Sequence, residues 1–140
     1  MGKAKQVLYQ QAHQRIERCL KIGAHIEAVA LIESIMSDRI ESALVALSGN
    51  QLEASTLGSL VSRIDKIEPM PTDLKRDILV WNKSRAFVVH QMVKLTNDHG
   101  GEWNERIAFA RRTAREGQDL LKVLRRYTDL LAPKRKSQKK

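Results

Sequence analysis

A chain of 140 residues fits one domain and hardly two, and it can bury roughly two-thirds of its unfolded surface without staples. Its single cysteine, Cys19, excludes an intramolecular disulfide and a CxxC zinc cage, so a reducing, cytoplasmic setting is expected. The net charge of +9 favours a polyanionic partner, nucleic acid before an anionic membrane, while only 4% aromatic residues argue against a base-stacking sheet surface.

Strong helix formers dominate and no strand-like alternation is sustained. The fold class is therefore all-α: an up-and-down helical bundle of about five helices over residues 1–132. Residues 133–140 (PKRKSQKK) read as a basic, disordered tail, because its cations repel one another. The opening residues contain no apolar run of signal-peptide length. No stretch approaches the ~18 uncharged apolar residues of a membrane span, and no membrane association is expected.

The first helix covers residues 4–22, with Val7, Leu8, Ala12, Ile16, Cys19 and Leu20 on its apolar stripe and Gly23 as its left-handed stop. The second is a long helix, residues 24–48, and carries the broad face of a central helix: Ile26, Val29, Ile32, Ile35, Met36, Ile40, Ala43, Leu44 and Leu47. A loop over 48–56 leads to a short third helix capped by Ser55 or Thr56, which packs Leu57, Leu60, Val61, Ile64 and Ile67 and stops at EPMP. Thr72 is read as the next cap. The pattern then runs to Leu95, with a break or kink expected where Asn82 and Ser84 can cap a new helix. TNDHGGEW, residues 96–103, reads as a loop between antiparallel helices. The last helix, 102–131, turns Trp103, Ile107, Ala110, Ala114, Leu121, Leu124 and Tyr127 inward. Its outer face is basic: Arg106, Arg111, Arg112, Arg115, Lys122, Arg125 and Arg126.

Few residues suggest chemistry. His13, Cys19 and His25 are spaced six apart, which does not put ligands on one helical face, so no metal site and no cofactor is expected. Glu33 and Asp38 lie on the long helix and read as a solvated face, with a pairing to Arg85 as the alternative. Arg111, Arg112 and Arg115, together with Lys134, Arg135 and Lys136 of the tail, are the candidate nucleic-acid contacts; their affinity would fall steeply with salt.

The segment NKSRAFVVHQM, residues 82–92, places Arg85 and His90 in an otherwise apolar run. Arginine is a planar fork for phosphate oxygens, and histidine can move protons near neutrality. Five positions apart on a helix, they sit about 140° around the axis and do not meet. A two-fold axis along this helix would bring two such pairs into one cleft.

Arg85-x4-His90 on a late helix of a small helical bundle resembles the HEPN domain family, whose mark is an arginine followed four to six residues later by a histidine. GAHIEAVALIESIMSDRIESAL and STLGSLVSRI are similar to the matching helices, so the resemblance spans residues 5–130. It implies a homodimeric, metal-independent endoribonuclease of the kind found in toxin–antitoxin and phage-defence systems. Its partners would be RNA and an antitoxin or other protein. Arg85 would bind the scissile phosphate, and His90 would act as general acid or base while a ribose 2′-hydroxyl attacks, leaving a 2′,3′-cyclic phosphate. Asn82 would support Arg85. Two positions depart from the family pattern. Ala86 follows the arginine where a polar residue is usual, and Met92 stands where one variant has tyrosine. A catalytically inactive HEPN-like module that binds RNA or a protein is the second reading. The third is a purely structural helical adaptor in which the basic residues only confer solubility; the bland reading of the pair itself makes Arg85 a surface residue and His90 a satisfied core histidine.

Overall fold

The computed structural model describes residues 2–50, 55–94 and 102–131. Gly100 and Gly101 of the expected loop and the tail cations Lys134, Arg135 and Lys136 lie outside them. The described residues form α1 (Lys3–Ile22), α2 (His25–Ser48), α3 (Leu57–Ile67), α4 (Thr72–His90) and α5 (Trp103–Leu130), with no strand among them. None of these helices is long and apolar enough to cross a membrane.

Local chemistry sets most of the helix ends. Gly23 (φ 80°) and Gly49 (φ 74°) adopt the left-handed conformation that stops α1 and α2, and their N–H groups donate to the carbonyls of Cys19 and Val45. The Thr56 hydroxyl accepts the N–H of Ser59 and starts α3. Pro71, not Thr72, occupies the N-cap position of α4, and no side chain caps that end. The corner before it is fastened by Asp65, which accepts the Met70 N–H at 2.8 Å and the Lys75 ammonium at 2.7 Å.

α2 is the hub: it packs against α1, α3, α4 and α5. The register follows from named neighbours. Lys5 and Tyr9 reach Asp38 while Arg15 reaches Glu27, so α1 runs antiparallel to α2. Ile32 lies against Gly117, while Arg39 shares a cavity with Leu121 and Arg125 further on, so α2 and α5 run parallel. α4 runs antiparallel to α5, with Trp81 beside Gly117 and Phe87 against Phe109.

The core is centred where α2, α4 and α5 meet. Trp81 is buried there, and its indole N–H donates to the Thr113 carbonyl at 2.8 Å. Gly117 is the close-approach point. A Cβ on it would stand 2.8 Å from Trp81 Cζ2 and 2.9 Å from Ile32 Cγ2. Cys19 is buried and free, as a small apolar residue of α1.

Several expected side-chain orientations are reversed. Val7 and Leu8 are exposed and Tyr9 is buried instead, because its ring covers Arg39 and its hydroxyl donates to Asp38. Ile26 and Ile67 are exposed, and Trp103, the first residue of α5, is 54% exposed. Arg106, assigned to the outer basic face, is buried.

Candidate functional site

α4 carries the candidate pair, and it is one unbroken helix from Thr72 to His90; the break expected at 82–84 is absent. The reason is a continuous inward stripe at four-three-four-three spacing: Leu74, Ile78, Trp81, Arg85, Val88. The apolar members of that stripe are buried against the neighbouring helices. Packing of this length overrides the capping tendency of Asn82 and Ser84.

Arg85 therefore points to the side of the helix that faces the bundle, and it is half-buried. Its guanidinium is held by the Asn82 side-chain carbonyl, which accepts from Nε at 3.1 Å and from Nη2 at 2.7 Å. The acceptor is neutral, so the side chain is oriented without losing its charge. No carboxylate pairs with Arg85 among the described residues; Asp38 is taken by Lys5 and Tyr9.

His90 is the last residue of α4 and is exposed, not packed into the core. The helix spacing turns it about 140° from Arg85. The structure joins Asn82 to Arg85 and does not join either to His90 within one chain.

The segment just after His90 is braced from α5. Arg106 donates through Nη1 to the carbonyls of Met92 and Lys94, both at 2.7 Å, and its guanidinium lies 5.9 Å from the centre of the Phe87 ring. Carbonyls beyond a helix end lack intrahelical donors, and a buried arginine supplies them here. The sequence signal for this was slight: Arg106 stands four residues before Ala110 on the buried stripe of α5.

The α5 arginines divide between two neighbourhoods. Arg112 lies 5.8 Å from the Phe109 ring centre, and Phe109 meets Phe87 edge-on at 5.3 Å. Phe87 and His90 are one turn apart on α4, so two aromatic rings link Arg112 to the part of the helix that carries the histidine. Arg111 and Arg115 lie on the other flank, near the buried His25 at the start of α2. Burial, and then the charges of these two arginines, hold the His25 pKa below its usual range. All three arginines are exposed.

The groove between α4 and α5 on the N-terminal side of Arg85 has the opposite character. Asp77, Glu116 and Asp119 rim a cavity of about 300 Å³ over Val80, Trp81 and Leu120. Its carboxylates make this part of the groove electronegative, in contrast to the arginine-bearing C-terminal half of α4 and the exposed arginines of α5. His13, Cys19 and His25 are not brought together: among the described residues no group of three or more histidine, cysteine or acidic side chains could hold a metal ion. No protein-family model, curated protein or solved structure matches this chain.

Proposed function

We propose that the protein is a homodimeric, HEPN-like endoribonuclease that needs no metal ion, with Arg85 on the phosphate and His90 moving protons. The observation that carries the reading is the Asn82–Arg85 contact. A neutral amide one turn before the arginine takes the orienting role that Ala86 cannot, and it leaves the guanidinium charge available to a phosphodiester. His90, exposed at the helix end, is open to a substrate or to a second copy of α4.

In this reading neutral His90 accepts the proton of a ribose 2′-hydroxyl. The oxygen attacks phosphorus, the bond to the 5′-oxygen breaks, and that oxygen takes a proton from the imidazolium of the other copy. The products are a 2′,3′-cyclic phosphate and a 5′-hydroxyl. Arg85 stabilises the negative charge that builds on the phosphate oxygens. The arginines of α5 add affinity without sequence preference. An antitoxin or another protein would be the natural counterpart of such an activity.

A second reading is favoured by one specific feature: Arg85 and His90 diverge by about 140° in a single chain. A dimer that only binds RNA would keep the cationic cleft and need no convergence. One experiment separates the two. Labelled RNAs are incubated with the protein in excess chelator, and the ends formed are identified. The enzyme predicts cyclic phosphate ends, a loss of roughly 10²–10⁴-fold in His90→Ala, and an unchanged melting temperature, because His90 is exposed. RNA left intact by the wild type, with salt-sensitive binding that persists in His90→Ala, rejects cleavage and leaves the binding module.

A further inference from the structure

On the far side of α2 and α5 from α4, a cavity of about 140 Å³ is lined by His13 and Glu17 of α1, Arg39 of α2, and Gln118, Leu121, Lys122 and Arg125 of α5. Three permanent cations face one carboxylate. That carboxylate is already engaged, since Glu17 accepts from the Gln118 amide at 2.9 Å.

Arg39 is the unusual member. It is only 8% exposed, yet among the described residues it has neither a hydrogen bond nor an ion pair. Its guanidinium carbon lies over the Tyr9 ring, 4.6 Å from the ring centre. The neighbouring acids are turned elsewhere. Asp38 accepts from Tyr9 at 2.5 Å and from Lys5 at 2.7 Å, and Asp129 pairs with Arg125 at 3.7 Å. None of the Arg39 nitrogens is a sealed, orphaned donor, so they open onto the cavity.

A largely buried arginine whose donors meet no protein acceptor and face a cavity is placed to receive an anionic one. Desolvation, with Arg125 as a like charge, lowers the Arg39 pKa from its usual value. Desolvation and the same two arginines lower that of His13. Beyond burial, both shifts reflect positive groups held close together, a repulsion that an anion would relieve.

Size selects the ligand. At ~30 Å³ per water, the cavity holds four or five waters, and it falls well short of the ~300 Å³ at which drug-sized pockets begin. A tetrahedral oxyanion fits; a whole nucleotide does not. The guanidinium held over the Tyr9 ring lines the cavity and can offer its fork to an oxyanion, while Lys122 and Arg125 are exposed beside it.

We propose that this cavity is a binding site for a tetrahedral phosphate, free or at the end of a phosphomonoester, with Arg39 at its floor and Lys122 and Arg125 at its mouth. The site is built from α1, α2 and α5 and stands independently of the reading of α4.

The test uses the full chain at fixed ionic strength, titrated with inorganic phosphate or with a nucleoside 5′-monophosphate. Binding is followed by calorimetry and by the melting temperature. Saturable binding and a rise in melting temperature are expected. Arg125→Gln, at an exposed position, should weaken binding roughly tenfold or more, the loss of one charge-assisted hydrogen bond. Arg39→Met, which keeps the apolar stem over Tyr9, should abolish it. Arg63→Gln, an exposed arginine on α3, should change nothing. Equal affinity for the two ligands identifies free phosphate, and tighter binding of the monophosphate identifies a phosphomonoester; either supports the site. Absence of saturable binding in the wild type overturns it, as does a response of Arg125→Gln equal to that of the wild type. If Arg39→Met does not fold, the Arg125→Gln comparison decides alone.

Discussion

Gly117→Ala tests the packing that places α4 on the bundle. In an exposed helix interior this substitution stabilises by roughly 0.8–1 kcal/mol, because alanine is the better helix former. Here the new methyl would stand 2.8 and 2.9 Å from Trp81 Cζ2 and Cε2 and 2.9 Å from Ile32 Cγ2. Carbon atoms prefer about 3.5–4.0 Å, so the deficit is at least ~0.6 Å on three atoms at once. Ile32 is β-branched and fully buried, and Trp81 is pinned by its hydrogen bond to the Thr113 carbonyl. Relief requires either tilting the indole out of that bond or moving α5 away from α2 and α4. Overpacking of this kind costs about 1–3 kcal/mol, and breaking the buried indole bond adds about 1 kcal/mol or more. After the propensity gain is subtracted, a net loss of about 1–3 kcal/mol remains. For a chain of this length that lowers the melting temperature by roughly 4 °C per kcal/mol. Calorimetric or circular-dichroism melting of the variant measures it directly. A melting temperature at or above that of the wild type would refute the reasoning and mark Gly117 as merely a weak helix residue. Trp81→Phe, which trims the ring, should make the Gly117→Ala loss smaller than in the wild-type background.

Two further outcomes follow from buried polar groups. Tyr127 is pushed up to about 12, first by burial and then by the Glu68 and Asp65 carboxylates, and Tyr9 is also raised by burial and by its bond to Asp38. A folded pKa above the unfolded one gives stability that is complete below about pH 10 and lost as pH rises through the folded value, about 3 kcal/mol for Tyr127. The chain has only these two tyrosines, so the 295 nm absorbance of the folded protein should show no tyrosinate near pH 10; a normal midpoint there would contradict the buried environment. Arg106→Gln leaves the Met92 and Lys94 carbonyls without their donor, at a cost of roughly 2–3 kcal/mol. Amide exchange over residues 87–94 should accelerate more than elsewhere, and an unchanged pattern there would rule out the bracing role.

What was legible in the sequence was local. Gly23, Gly49, Thr56 and Pro71 each act on their own neighbourhood through φ, a hydroxyl or a missing N–H, and they place helix ends within a residue or two. The long apolar face of α2 announced a central helix, and α2 does touch the four others. Apart from the start of α4, where Pro71 and not Thr72 stands at the cap, the failures are tertiary. Asn82 and Ser84 read as caps because their helical neighbours Trp81, Arg85 and Val88 could not be seen packing on two other helices. Arg106 read as solvated because its acceptors are backbone carbonyls, which leave no trace in a residue pattern. Arg39 stands three residues after Met36 and four before Ala43, in register with the buried stripe. Periodicity placed it inside; its charge hid it. The pairing of Arg85 with Asn82, one turn away, was the one site contact within reach of spacing alone.

Arg39 and Arg85 share a design that separates holding from neutralising. The carboxylates of the ion pairs meet lysines and arginines that are substantially exposed: Asp38 with Lys5, Glu27 with Arg15, Asp65 with Lys75, Asp73 and Asp77 with Arg76, Asp129 with Arg125. Of the three arginines on inward helix stripes, Arg106 is spent on backbone carbonyls, whereas Arg39 and Arg85 are set against a tyrosine ring and a neutral amide. A carboxylate in either place would orient the guanidinium equally well, but it would cancel the charge. A ring or an amide fixes the plane and keeps the full positive charge in a setting less polar than water, where its pull on an anion is stronger. Stability alone does not call for this arrangement, since replacing a desolvated charge by an apolar side chain of similar volume is often neutral or stabilising. It follows that Arg39→Met should melt no lower than the wild type in phosphate-free buffer, while losing the increment that phosphate confers.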